Sequence, residues 1–122
     1  MFQTFSDDAG KSWKELSLMD LPNPNSGTDA VTLRDGTHLL VYNHSCTDKA
    51  RYPLNVAITR DGVSWNAGAI LEAEPPGQYS YPAVIQTSDG LVHVTYTWRR
   101  LKIRHIVLDA TKLAGVPIHG SL

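Results

Sequence analysis

Chemistry in a protein begins with side chains that carry charge, share a proton or hold a metal, and few of them gather in this chain. The five histidines, His38, His44, His93, His105 and His119, are scattered without metal-ligand spacing or clustered carboxylates, and Cys46 has no second thiol for a disulfide or a zinc knuckle. There is no Gly-rich phosphate loop and no Ser or Cys nucleophile motif, so neither a metal nor a nucleotide cofactor is expected. What remains is a small set of recognition groups. Arg51 carries a guanidinium whose two parallel donors fit a carboxylate in a bidentate way, the plain alternative being a solvated loop arginine. Asn25, Ser26 and Asp29 gather in a Pro/Asn-rich loop, where turn chemistry is their routine use. Gln78-Tyr79-Ser80-Tyr81 offers two phenols in neighbouring registers, either of which can stack or pack at a rim.

The elements that must position these groups are announced by a pattern that occurs twice. Ser6-Asp7-Asp8-Ala9-Gly10-Lys11-Ser12-Trp13 returns, one residue shorter, as Thr59-Arg60-Asp61-Gly62-Val63-Ser64-Trp65. Each copy suits a tight turn between antiparallel strands: the Asp and hydroxyl side chains bond backbone N–H groups, Gly accepts positive φ, and Trp anchors the turn in the apolar layer beneath. A second marker recurs as well, since residues 29–36 followed by 38–42 return as 82–90 followed by 91–96. A period of about fifty residues, built from short strands and Asp-Gly hairpins, is the signature of a β-propeller in which one four-stranded blade is one repeat.

Alternation and turn punctuation predict strands over 1–5 and 14–18, the closing hairpin of one blade. A complete blade follows over 28–33, 38–43, 54–59 and 67–72. The next repeat supplies 83–86, 92–98 and 102–108, and residues 110–120 show no strand alternation. The organisation expected is therefore the end of one blade in 1–21, a complete blade in 22–74, three strands of another in 75–113 and a tail in 114–122. About two blades do not close a ring. Three copies would complete a six-bladed ring, and a trimer is one expected assembly.

Composition bounds the partners. With 122 residues, 42% hydrophobic, 19% charged and a net charge of -1, the chain gives no electrostatic case for nucleic acid or an anionic membrane. No apolar run approaches the roughly 20 residues that span a bilayer, and residues 1–6 lack the basic and apolar regions of a signal peptide. Export by that route is not expected, and the location is left open.

The two Asp boxes, together with Leu21-Pro22-Asn23-Pro24-Asn25-Ser26-Gly27, Arg51-Tyr52-Pro53-Leu54-Asn55-Val56-Ala57-Ile58 and the segment 79–90, resemble the Asp-box (BNR-repeat) proteins of the sialidase, or neuraminidase, type. The likeness covers nearly the whole chain and implies the C-terminal part of a six-bladed propeller that cleaves acidic sugars from glycans. It implies that Arg51 is one of three arginines gripping the substrate carboxylate and that Tyr79 is the nucleophile, with Tyr81 as its register rival. Sialidases depart from the usual carboxylate nucleophile, and a neutral phenol suits an anomeric carbon that already bears a carboxylate. Asn25, Ser26 and Asp29 fall where the preceding blade's inner strand begins and would line the same pocket. The family's two further arginines, its acid/base aspartate and its activating glutamate come from earlier blades and are not matched here. Arg99, Arg100 and Arg104 read as surface charge. The resemblance thus implies a sialidase-like glycoside hydrolase fragment, inactive as a lone chain, with a glycan-binding or assembly module and a purely structural fragment as the alternatives.

Overall fold

The computed structural model describes residues 1–118, so His119 and the end of the 114–122 tail lie outside the described residues. The fold is all-β. In chain order the strands are β1 (Phe2–Gln3), β2 (Ser17–Leu18), β3 (Asp29–Thr32), β4 (His38–Asn43), β5 (Leu54–Thr59), β6 (Asn66–Glu72), β7 (Tyr79–Gln86), β8 (Val92–Trp98), β9 (Lys102–Leu108) and β10 (Val116–Pro117). They form a β1–β2 hairpin, a sheet of order β10-β6-β5-β4-β3, and a sheet of order β7-β8-β9, all antiparallel. The sheets stack like successive propeller blades, and the described residues do not close a ring.

Period-two alternation decides which face of each strand goes where. On β4, Leu39 and Val41 face the third sheet and meet Val92, Val94 and Tyr96 of β8 in the larger apolar cluster. Leu40 and Tyr42 point the other way, into a second cluster with Leu21 and Ala57 that Met1, Met19, Trp65 and Ile118 cover. The middle sheet is therefore buried on both faces, which is why residues 39–43 form a continuous buried run. Each Leu or Val so enclosed stabilises the stack by roughly 1.5–3 kcal/mol.

Polar links fasten the two larger sheets at defined heights. The Asp29 carboxylate accepts the Val84 N–H at 2.8 Å, joining β3 to β7. Glu72, at the end of β6, accepts from the Tyr96 hydroxyl and from the Arg104 guanidinium, both at 2.7 Å. Arg104 is thus a cross-sheet tie rather than free surface charge.

Both Asp boxes are turns knitted by their own side chains. In the first, Asp8 accepts the Ser12 N–H at 2.9 Å and its hydroxyl at 2.6 Å, while Ser6 Oγ accepts the Gly10 N–H at 2.8 Å. In the second, Asp61 accepts the Val63 and Ser64 N–H groups at 2.8 and 2.7 Å. Gly10 and Gly62 adopt φ of 82° and 74°, as the turn requires.

Three sequence expectations need correction. Trp65 packs into the second cluster, but Trp13 is exposed, joins neither apolar cluster and lies over Gly10 instead. Residues 110–120 are not strandless: after a 3-10 turn at Ala110–Lys112 the chain returns to the middle sheet, and β10 pairs with β6 through Val116 and Ala67. The proline of β10 lacks an N–H and sits on a sheet edge, where none is needed. Finally, β7 begins at Tyr79 rather than Ala83, because a bulge between Ser80 and Ala83 carries the pairing past Tyr81.

Candidate functional site

The first strand of the third sheet starts against the loop that precedes β5. The Tyr79 N–H donates to the Arg51 carbonyl at 2.9 Å, and Arg51 and Gln78 form an isolated parallel bridge. Backbone pairing therefore brings Arg51 and the Tyr79-Ser80-Tyr81 segment together, although 28 residues separate Arg51 from Tyr79 in the chain.

The two tyrosines meet opposite fates. Tyr79 is fully enclosed. Its hydroxyl donates to the Glu74 carbonyl at 3.0 Å and accepts from Nε and Nη2 of Arg99, both at 3.3 Å. The loop 74–78 lies so close over this ring that a Cβ on Gly77 would collide with it and would come within 2.8 Å of the Glu74 carbonyl. Arg99 in turn stacks over Trp98, with its Cζ 4.7 Å from the ring centroid, and pairs with Glu74 at 3.5 Å. The Tyr79 phenol is consequently held in place by the Glu74 carbonyl and the Arg99 guanidinium.

Tyr81 is 66% exposed. It sits at the crest of the bulge with φ of 53°, an uncommon conformation for a bulky residue, and the turn of the backbone lifts its side chain out of the sheet. The Arg51 guanidinium lies over its ring at 5.1 Å. Gly27 also lies against this ring, since a Cβ there would stand 3.5 Å from it. Hydrogen bonding to Arg51, then the charge of Arg51, then the charge of Arg100 hold the Tyr81 phenol below its ordinary pKa of 10.0. The charges acting on this phenol are thus cationic, the electrostatic setting of an anion site.

The remaining residues singled out from the sequence take different places. Asn25, with φ of 59°, and Ser26 line a shallow recess of about 300 Å³ with Met1, Phe2, Asn23 and Thr28. Ser26 Oγ donates to Oδ1 of the buried Asn43, whose Nδ2 donates to the Tyr79 carbonyl at 3.0 Å and the Pro53 carbonyl at 3.3 Å. Asn43 is therefore the hub that fixes the loop 23–27, the start of β5 and the start of β7 relative to one another. Asp29 is engaged by Val84, whose N–H its Oδ2 accepts. Of the five residues, the fold brings Arg51 together with Tyr79 through backbone and with Tyr81 through side chain, sets Asn25 and Ser26 beside that junction, and uses Asp29 as a brace.

Arg99, Asn43 and Gly77 also shape this corner. Nothing local marks them: Arg99 reads as one of a pair of turn arginines, and its inward course depends on the consecutive positive φ values at Arg99 and Arg100. Among the described residues no three His, Cys, Asp or Glu side chains gather as a metal site, and no helix is long and apolar enough to cross a membrane.

Residues 1–94 match the model of the BNR repeat-like domain. The chain belongs to that family. No curated protein and no solved structure matches it. The stretch matched as a BNR repeat-like domain contains both Asp boxes, Arg51 and the bulge with Tyr81. Arg99 and the strand β9 lie beyond it.

Proposed function

We propose that this BNR repeat-like chain carries part of a sialidase-like site for an acidic sugar, and that on its own it binds such a sugar without hydrolysing it. The observation that carries the reading is the pairing of Arg51, 5.1 Å from the ring centroid, with an exposed Tyr81 at the crest of a bulge. A carboxylate entering this corner meets the Arg51 fork, freeing Tyr81 to face the sugar ring.

Between the two registers offered by Tyr79-Ser80-Tyr81, the reading assigns the reactive phenol to Tyr81 and the supporting role to Tyr79. Tyr81 is accessible and its phenol is held below its ordinary pKa, chiefly by Arg51; Tyr79 is enclosed and hydrogen-bonded at its hydroxyl. Asn25 and Ser26, at the edge of the adjoining recess, are assigned to contacts with the rest of the sugar. Turnover needs an acid to protonate the leaving oxygen and a base to take the phenol proton. No residue of this chain matches those of the sialidase type, which supports binding without turnover.

The test is calorimetric titration of the chain with N-acetylneuraminic acid, beside a fluorogenic sialoside assay. Saturable binding that Arg51→Ala abolishes, with no release of fluorophore, is the result expected. Undiminished binding by Arg51→Ala, or equal binding of uncharged galactose, would overturn the reading.

A further inference from the structure

The stack ends in two uncovered apolar faces that match the two halves of a junction the chain already makes. Inside the molecule, each sheet passes its later face to the earlier face of the next: the β1–β2 hairpin covers Leu40 and Tyr42 of β4, and Leu39 and Val41 of β4 cover Val94 and Tyr96 of β8. By the repeat, Leu39 corresponds to His93 and Val41 to Thr95, so the later face of the third sheet is the one that carries His93 and Thr95. Among the described residues none covers it. Ile85, Ile103 and Val107 lie exposed on that face, around the stacked His93 and His105 rings, whose Nδ1 and Nε2 are 2.9 Å apart. A recess of about 470 Å³ opens there between Ala83, Ile85, Thr95 and the two histidines.

At the opposite end the β1–β2 hairpin turns Met1 and Met19 inward. Alternation puts Phe2, Leu16 and Leu18 on its other face, each at least 60% exposed. Phe2 stands directly across from Leu18 in the hairpin register. Three large apolar side chains on the outer face of a two-stranded ribbon form a patch that soluble chains ordinarily cover.

We propose that a second copy of this chain covers both faces, the Phe2, Leu16 and Leu18 face of each copy seating on the Ile85, Ile103 and Val107 face of the other. The junction is head to tail, and two copies joined at both ends close on themselves with no face left over. Each copy contributes three sheets, so the closed dimer has six, within the range of propeller rings. The trimer expected from strand arithmetic needs the hairpin instead to add edge to edge onto β9. The apolar groups lie on faces, not on that edge, which favours the dimer.

Light scattering on the 122-residue chain tests this, and a mass twice the 13.4 kDa of one chain is expected. Leu18→Asp and Ile103→Asp should each give a monomer with unchanged far-UV circular dichroism, since both residues are exposed in the single copy. Mixing the two variants should restore the dimeric mass, because one sound junction remains between unlike copies. Hydrogen exchange on the unmodified chain gives a second readout that needs no variant: protection of β2 and β9 should rise with protein concentration. A monomeric or trimeric mass for the unmodified chain, failure of the mixed variants to associate, or exchange independent of concentration would overturn the proposal.

Discussion

The acidity of one phenol is the most sensitive reporter of the Arg51 corner. Tyr81 is held below the ordinary value first by Arg51 and then by Arg100, so removing the guanidinium in Arg51→Ala should return the phenol towards 10.0, and Arg100→Ala should move it less. Spectrophotometric titration beside Tyr81→Phe, which identifies the transition, checks this; an unchanged transition in Arg51→Ala would mean that the two side chains do not interact in solution. The Asp boxes give a second residue-level prediction. Ser12 and Ser6 hold Asp8 at about 2, below its ordinary 3.8, and the Ser64 and Val63 N–H groups hold Asp61 lower still. A carboxylate depressed in the folded chain contributes stability above its unfolded value and loses it as pH falls through the folded one. Melting temperature should therefore fall steeply from about pH 4 towards pH 2. Asp61→Asn should melt lower at neutral pH and show a shallower acid slope, and an unaltered slope would contradict the assignment.

At the scale of elements, the bulge in β7 and the loop before it are what separate an accessible phenol from a buried one. Gly77 permits the loop to close over Tyr79, so Gly77→Ala should cost about 1–3 kcal/mol as overpacking, read as a lower denaturation midpoint. Strand existence was largely legible from the chain: β5, β8 and β9 fall where alternation and turn punctuation predict them, and β4, buried on both faces, is a short apolar run after an Asp-Gly turn. The start of β7 was not legible, since pairing there skips Tyr81 and depends on a positive φ that no local pattern encodes. Nor was β10, whose two residues hold their place through a partner nearly fifty positions away. The site was legible in part for the same reason. Arg51 and the tyrosine pair could be read from motif and register, whereas the choice between phenols rests on a bulge, and the inward course of Arg99 rests on the β8–β9 turn.

For the molecule as a whole, a few polar hubs join neighbouring sheets and loops. Asn43 is the most central, bonding Ser26 on one side and the Pro53 and Tyr79 carbonyls on the other. Asn43→Ala strands those groups at about 1–3 kcal/mol for a buried unpaired partner. It should lower the melting temperature and weaken sugar binding together, while Asn43→Asp should fail to restore either, because a carboxylate cannot donate to two carbonyls. Loss of stability with binding intact would show that the hub does not position the site. The central claim is that an acidic sugar enters at the corner where the loop before β5 meets the start of β7. Its most direct test is a two-dimensional amide NMR titration of the chain with N-acetylneuraminic acid. Saturable shifts confined to Asn25, Ser26, Gly27, Arg51 and residues 78–81 are expected; shifts centred on β9, or no saturable shifts at all, would contradict the assignment.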